Sequence, residues 1–166
     1  RTIQKNDLFL ALKGKINDGN RFIKDAFKKG AAGVITSSIN KNKKKTIKLK
    51  NPILFLNQFA KLKRERSLAK IIAITGSAGK TSLKNLLKDL LQKFGNTHAS
   101  PKSFNNHYGV PLSLSNLSFR DDFGIFEVGM SKAGEIRNLS KLIRPNIGVI
   151  TNIGEAHLEN FKNLKG

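Results

Sequence analysis

Between the apolar stretch Ile71–Ile74 and a helix-forming segment lies Thr75-Gly76-Ser77-Ala78-Gly79-Lys80-Thr81-Ser82. A glycine loop in that position turns several backbone N–H groups toward one point. The N-terminus of the following helix adds partial positive charge, and together they form an anion site. Lys80 would reach the terminal phosphates of ATP, and the Thr81 hydroxyl would help hold Mg²⁺. The long pattern G-x-x-x-x-G-K-[ST] is incomplete, because Ile74 stands where its first glycine belongs. The shorter form remains, with Gly76 and Gly79 ahead of Lys80-Thr81. The rival is a chance glycine turn opening a helix. The order strand, loop, helix favours the phosphate site, with Lys80 as catalytic residue and Thr75–Ser82 as nucleotide contacts.

Two more residues could share that chemistry. Glu127 ends the apolar run Ile125–Val128, and His157 follows the run Ile147–Asn152. In open parallel sheets the carboxyl ends of the strands meet at the ligand crevice. A carboxylate and an imidazole there would hold a divalent ion against a transferring phosphate. On spacing alone, Glu127 reads equally as a capping or surface acid, and His157 as a hydrogen-bonded loop histidine.

The elements that must position these groups alternate. Ile71–Ile74 reads as a buried strand. Leu83, Leu86, Leu87, Leu90, Leu91 and Phe94 recur at amphipathic-helix spacing, and Gly95 stops that helix. Ile125–Val128 and Ile147–Thr151 read as strands, with a helix over Ala133–Ile143 ending before Pro145. Alternation of this kind implies a parallel α/β sheet. Upstream, Leu8–Leu12 reads as a strand, and Phe22, Ile23, Ala26 and Phe27 as a helix closed by Gly30. Gly33–Thr36 and Ile53–Leu56 read as further strands, and Gln58–Leu68 as a connecting helix. The expected organisation is therefore a small N-terminal α/β domain over 1–66 and a P-loop-type parallel-sheet domain, incomplete, over 67–166.

Composition narrows the partners. The chain has 166 residues and a net charge of +20, which raises the possibility of nucleic-acid binding. The excess is largely lysine spread along the sequence, there is no tryptophan and only one tyrosine, and the run Lys41–Lys50 lacks aromatics. Phosphate clamps favour arginine, and single-strand binders interleave aromatics with their basic residues. A solvated lysine-rich surface is the better reading, and nucleic acid is not the expected partner. Cysteine is absent, which removes disulfides and thiolate metal sites and fits the cytoplasm. No apolar run approaches the ~20 residues of a membrane helix, so membrane insertion is not expected.

Several segments then resemble one family. Thr75-Gly76-Ser77-Ala78-Gly79-Lys80-Thr81 resembles the ATP loop of the Mur ligases. Ser103-Phe104-Asn105-Asn106-His107-Tyr108-Gly109-Val110-Pro111-Leu112 is similar to an N-x-N-N-x-x-G-x-P segment in the branch that adds D-alanyl-D-alanine. Phe126–Met130 with Gly134-Glu135-Ile136, and Thr151–Glu159 with its Ala156-His157-Leu158-Glu159 end, resemble that branch too. Asp7–Gly14 and Asp18-Gly19…Phe22 resemble the family's uridine-nucleotide domain.

The resemblance implies an ATP- and Mg²⁺-dependent ligase of peptidoglycan precursor synthesis. Its substrates would be UDP-N-acetylmuramoyl-tripeptide and D-alanyl-D-alanine, and the full-length enzyme would be a monomer. It implies metal ligation by Thr81, Glu127 and His157. Asn105 and Asn106 would lie on the substrate side, where the rival is a turn packed by its own amide hydrogen bonds. Asp18 and Gly19 would lie on the uridine side, where a plain Asp-Gly turn is the rival. The other branches, which add glutamate or a diamino acid, are the alternative, as is a basic P-loop nucleic-acid NTPase. Opening on Arg1 and lacking the family's downstream lysine, adenine-side residues and amine-binding domain, the chain reads as a fragment. Catalysis is expected of the longer protein only.

Overall fold

The computed structural model describes residues 3–14, 17–38 and 45–154. The chain forms two compact units that divide between Phe55 and Leu56.

In the first unit, β1 (Leu8–Ala11), β2 (Gly33–Thr36) and β3 (Thr46–Lys48) form a three-stranded parallel sheet in the order β1-β2-β3. A 3-10 turn, Gly19–Phe22, leads into α1 (Ile23–Lys28). Ala11, Ile23 and Val34 are buried together, with Phe9 and Phe27 packed against them. The third strand is a correction. Ile53–Leu56 is not a strand; it lies in α2 (Pro52–Arg66). A run of four apolar residues has no period that separates a strand from a buried helical turn. Here the flanks decide: Pro52 occupies the first helical position, and Asn51 Oδ1 accepts from Leu54 N at 3.2 Å. The lysine-rich stretch supplies the edge strand instead. The division between the compact units falls within α2, which runs from Pro52 to Arg66.

The second unit is a four-stranded parallel sheet in the order β5-β6-β4-β7, made of β4 (Lys70–Thr75), β5 (Thr97–Ala99), β6 (Phe123–Glu127) and β7 (Ile147–Ile150). Successive residues of a strand face opposite sides, and a parallel sheet is covered on both. Ile71 and Ala73 accordingly join Phe126, Val110, Leu114, Leu139 and Ile143 under α4 (Gly109–Ser115) and α5 (Glu135–Ile143). Ile72, Ile74 and Ile125 face the other way, against Leu83, Leu87 and Leu91 of α3 (Lys80–Leu91). Among the leucines of α3, only that i, i+4, i+8 stripe packs inward. Leu86 and Leu90, expected on the same buried face, are exposed, as is Phe94 beyond the helix end.

The pairing places a chemical gradient along the sheet. Ile74 pairs with Glu127 and Thr75 with Ile150. The carboxyl ends of β4, β6 and β7 therefore stop side by side, where the loop after β4 begins.

Candidate functional site

The loop from Thr75 to Lys80 turns sharply at its two glycines. Gly76 has φ +132° and Gly79, at the N-terminus of α3, has φ +78°. A side chain is excluded at Gly76 by space as well as by angle, since a Cβ there would lie 2.1 Å from Thr151 Oγ1. The loop is held from behind by the segment after β7. Ser77 N donates to Asn152 O (3.2 Å) and Ala78 N to Asn152 Oδ1 (2.9 Å). Thr151 Oγ1 donates to Ala78 O (2.6 Å), and Gly154 N donates to Ser77 Oγ (2.9 Å). Thr151 and Asn152, read in the sequence only as the end of a strand and the start of a histidine motif, thus shape the loop.

Lys80 folds back over this turn. Its Nζ donates to Gly76 O and, at 3.3 Å, to Ser77 O. Thr81 points toward the sheet, where its Oγ1 donates to Glu127 Oε2 at 2.8 Å. Glu127 is 1% exposed although it carries a carboxylate. Its other oxygen, Oε1, accepts from Asn105 Nδ2 at 2.8 Å. Buried charge is costly unless paired and hydrogen-bonded, and the remaining compensation comes from Lys84. That ammonium lies 3.7 Å from Glu127 Oε2 and donates to Lys102 O. Lys84 is itself buried, at 2% exposure. Nothing in its sequence setting marks it, because a lysine on an amphipathic helix ordinarily faces water. Only its place one helical turn after Lys80, on the side of Thr81, hints at an inward direction.

Asn105 is fixed by the backbone around it. Gly129 N donates to Asn105 O at 2.7 Å, and a Cβ on Gly129 would lie 2.9 Å from the Asn105 amide carbon. Asn106 does different work: its Oδ1 accepts from Tyr108 N (3.1 Å) and Gly109 N (2.9 Å), which caps α4. Ser100 ties the same loop to β6, accepting from Glu127 N through Oγ at 3.0 Å. Glu135 stays local. Its Oε2 accepts from Ser131 N (2.6 Å) and Lys132 N (3.1 Å), and the first of these bonds holds its carboxyl below the ordinary range.

The arrangement therefore brings Lys80, Thr81, Asn105 and Glu127 together. His157 lies outside the described residues. Asp18 and Gly19 belong to the first unit. Asp18 Oδ1 accepts from Asn20 N (2.9 Å) and Asn20 Nδ2 (2.6 Å), while Asn20 Oδ1 accepts from the Thr36 hydroxyl. The Asn20 backbone bond, then the side-chain bond, lowers the Asp18 pKa. Gly19 passes so close to β1 that a Cβ would lie 2.7 Å from Leu12 O.

Chemically, the second unit offers a turn of backbone N–H groups at a helix N-terminus, a mobile-length ammonium over it, and a hydroxyl touching a buried carboxylate. Two hard oxygen donors in contact suit a cation such as Mg²⁺, which keeps several other ligands from water or phosphate. Among the described residues there is no cluster of three or more acidic, histidine or cysteine side chains that could hold a metal by itself.

The chain matches the Mur ligase middle domain over residues 74–166. It is 46% identical over 168 residues to the UDP-N-acetylmuramoyl-tripeptide–D-alanyl-D-alanine ligase of Rickettsia prowazekii (strain Madrid E), covering 99% of this chain and 37% of that protein. It is 33% identical over 166 residues to the ligase of the same description from Escherichia coli (strain K12), covering 100% of this chain and 37% of that protein. Among solved structures, MurF from Acinetobacter baumannii superposes with a TM-score of 0.84 at 32% identity, over 98% of this chain and 36% of the other. MurF ligase from Thermotoga maritima in complex with ADP superposes with a TM-score of 0.80 at 31% identity, over 98% and 38% of the respective chains. The chain thus spans little more than a third of the length of these relatives.

Proposed function

The chain belongs to the Mur ligase family, and on that footing we propose that it is part of an ATP-dependent ligase joining D-alanyl-D-alanine to UDP-N-acetylmuramoyl-tripeptide. The observation that carries the reading is the contact of Thr81 Oγ1 with the buried Glu127 carboxylate, beside the loop that Lys80 covers. A carboxylate resists attack by an amine. The tripeptide carboxylate must first accept a phosphoryl group from ATP, after which the amine expels phosphate through a tetrahedral intermediate. The bound Mg²⁺–nucleotide supplies the phosphoryl group and neutralises its charge.

The chain's own part is positioning and electrostatics. Backbone N–H groups of the loop other than those of Ser77 and Ala78, which donate to Asn152, would surround the phosphates. Lys80 leaves the Gly76 and Ser77 carbonyls, neutral acceptors, for the more negative phosphate oxygens. Thr81 and Glu127 would hold the cation, and His157, outside the described residues, is the further ligand proposed. Asn105 donates to the same carboxylate and would act on the tripeptide side of the site. Asn106 serves by capping α4, and Asp18 and Gly19 by shaping the turn on which Asn20 meets Thr36, at the uridine end of that substrate. A cytoplasmic site of action and a monomeric full-length enzyme go with this reading. Among the described residues no helix is long and apolar enough to cross a membrane.

The test is ligation of D-alanyl-D-alanine by the full-length enzyme and its Lys80→Ala variant. Loss of a preorganised cation at the transferring phosphate should lower kcat by about 10²–10³-fold or more, with thermal stability unchanged. Equal turnover by a folded Lys80→Ala protein refutes the phosphate role.

A further inference from the structure

We infer that Lys84 is a built-in counter-cation of the Glu127 carboxylate, a positioning residue that weakens the site's hold on a divalent metal so that the metal can leave with the spent nucleotide. The inference rests on the reading of Glu127 as a metal ligand and adds a residue to it. The ammonium of Lys84 is buried, 3.7 Å from Glu127 Oε2, the same oxygen that accepts from Thr81. It is anchored there by its hydrogen bond to Lys102 O, and Lys102 itself is in the left-handed region at φ +50°. The carbonyl of this loop residue thus meets the buried lysine. The lysine is therefore held in place rather than free to swing toward solvent.

No second acid compensates it; the ion pair at Lys84 is with Glu127 alone among the described residues. Any cation on Glu127 shares that carboxylate with a fixed positive charge. Screening by salt and water is weak in a buried site. A fixed unit charge within several ångströms of a bound ion would change the ion's affinity by about tenfold or more. If Lys84 merely filled space, an apolar side chain would do so without the cost of burying an ammonium.

The experiment measures Mn²⁺ binding to the full-length enzyme with a non-hydrolysable ATP analogue, following the free-Mn²⁺ electron paramagnetic resonance signal without turnover. Lys84→Met keeps the length and apolar stem, and Lys84→Gln keeps a donor for Lys102 O without the charge. Both should bind Mn²⁺ about tenfold more tightly than the wild type, and the Mg²⁺ concentration for half-maximal ligation should fall in parallel. A purely structural lysine would lower stability but would not tighten metal binding. Unchanged or weaker Mn²⁺ binding in the folded variants overturns the inference, as does a failure of both variants to fold, which assigns Lys84 to stability. Glu127→Gln is the control for the underlying reading. If it leaves Mn²⁺ binding unchanged, the metal role of Glu127 fails; if it weakens binding while the Lys84 variants do not tighten it, only the counter-cation fails.

Discussion

Asp18-Gly19 in the first unit and the loop from Gly76 to Thr81 in the second are both glycine turns with a polar partner, yet they use their polar groups differently. Asp18 accepts from Asn20, two residues away, and Gly19 is required by the approach of Leu12 O. Apart from the bond that Asn20 accepts from Thr36, that turn is explained by its near neighbours. The second turn is explained by residues far along the chain: Thr151, Asn152 and Gly154 brace it, and Thr81 reaches Glu127. A turn closed on itself can be a capping device. One braced from outside, with a cation folded over it and a hydroxyl turned to a buried carboxylate, is organised around something else. Local hydrogen bonding near a glycine says little about function, whereas convergence from distant segments says a good deal.

That contrast can be broken by substitution. Gly76→Ala should have the largest effect, because the new Cβ meets Thr151 Oγ1 at 2.1 Å and the backbone is in a region that only glycine enters readily. We expect a loss of about 2–4 kcal/mol by urea denaturation. Gly79→Ala offers an internal comparison. Its φ of +78° is left-handed but milder than the +132° of Gly76, and no atom lies nearer than Thr151 Cβ at 3.9 Å, so about 1–2 kcal/mol is expected. Equal losses at the two positions would show that bracing by Thr151 does not matter.

Asn105→Ala comes next. It removes the donor to Glu127 Oε1, and a buried charged group short of one hydrogen bond should cost about 1–3 kcal/mol. The same variant should raise the KM of the tripeptide substrate more than that of ATP. An unchanged unfolding midpoint would mean that the contact between Asn105 and Glu127 contributes nothing to the fold.

The smallest effect belongs to Asp18. Its carboxyl is held below the ordinary value by the Asn20 backbone N–H, so the native state favours the ionised form. A depressed native pKa contributes stability that is present above the unfolded carboxylate pKa. The contribution is lost as pH falls through the lower native value. Asp18→Asn should therefore lower stability slightly at neutral pH and flatten the acid limb, so that the two proteins converge as pH falls through the native value. Equal pH profiles for the two proteins would remove the ionised cap.

Local pattern was enough for much of this. The buried run Ile71–Ile74, the loop after it and the i, i+4 leucines of α3 were legible because a strand, a glycine turn and a helix each announce themselves within a few residues. Glu127 was legible as a strand-end acid. Ile53–Leu56 was not legible as a helix, since four apolar residues fit either period and the arbiter was Asn51-Pro52 ahead of them. Thr46–Lys48 was hidden among lysines because an edge strand needs little apolar character.

By itself the sequence marked Leu8–Leu12, Gly33–Thr36, Ile71–Ile74, Ile125–Val128 and Ile147–Thr151 as strands and the glycine loop after Ile74 as a candidate phosphate site, because period and turn chemistry are properties of neighbouring residues. Tertiary structure alone decided that Lys84 is buried, that Asn105 spends its amide on Glu127 while Asn106 caps a helix, and that Thr151 and Asn152 brace the loop. Burial and hydrogen-bond partnership depend on which strand ends stop side by side, and that is set by sheet order, β5-β6-β4-β7. Residues 43 positions apart, such as Lys84 and Glu127, carry no mark of each other until the sheet brings them within 3.7 Å.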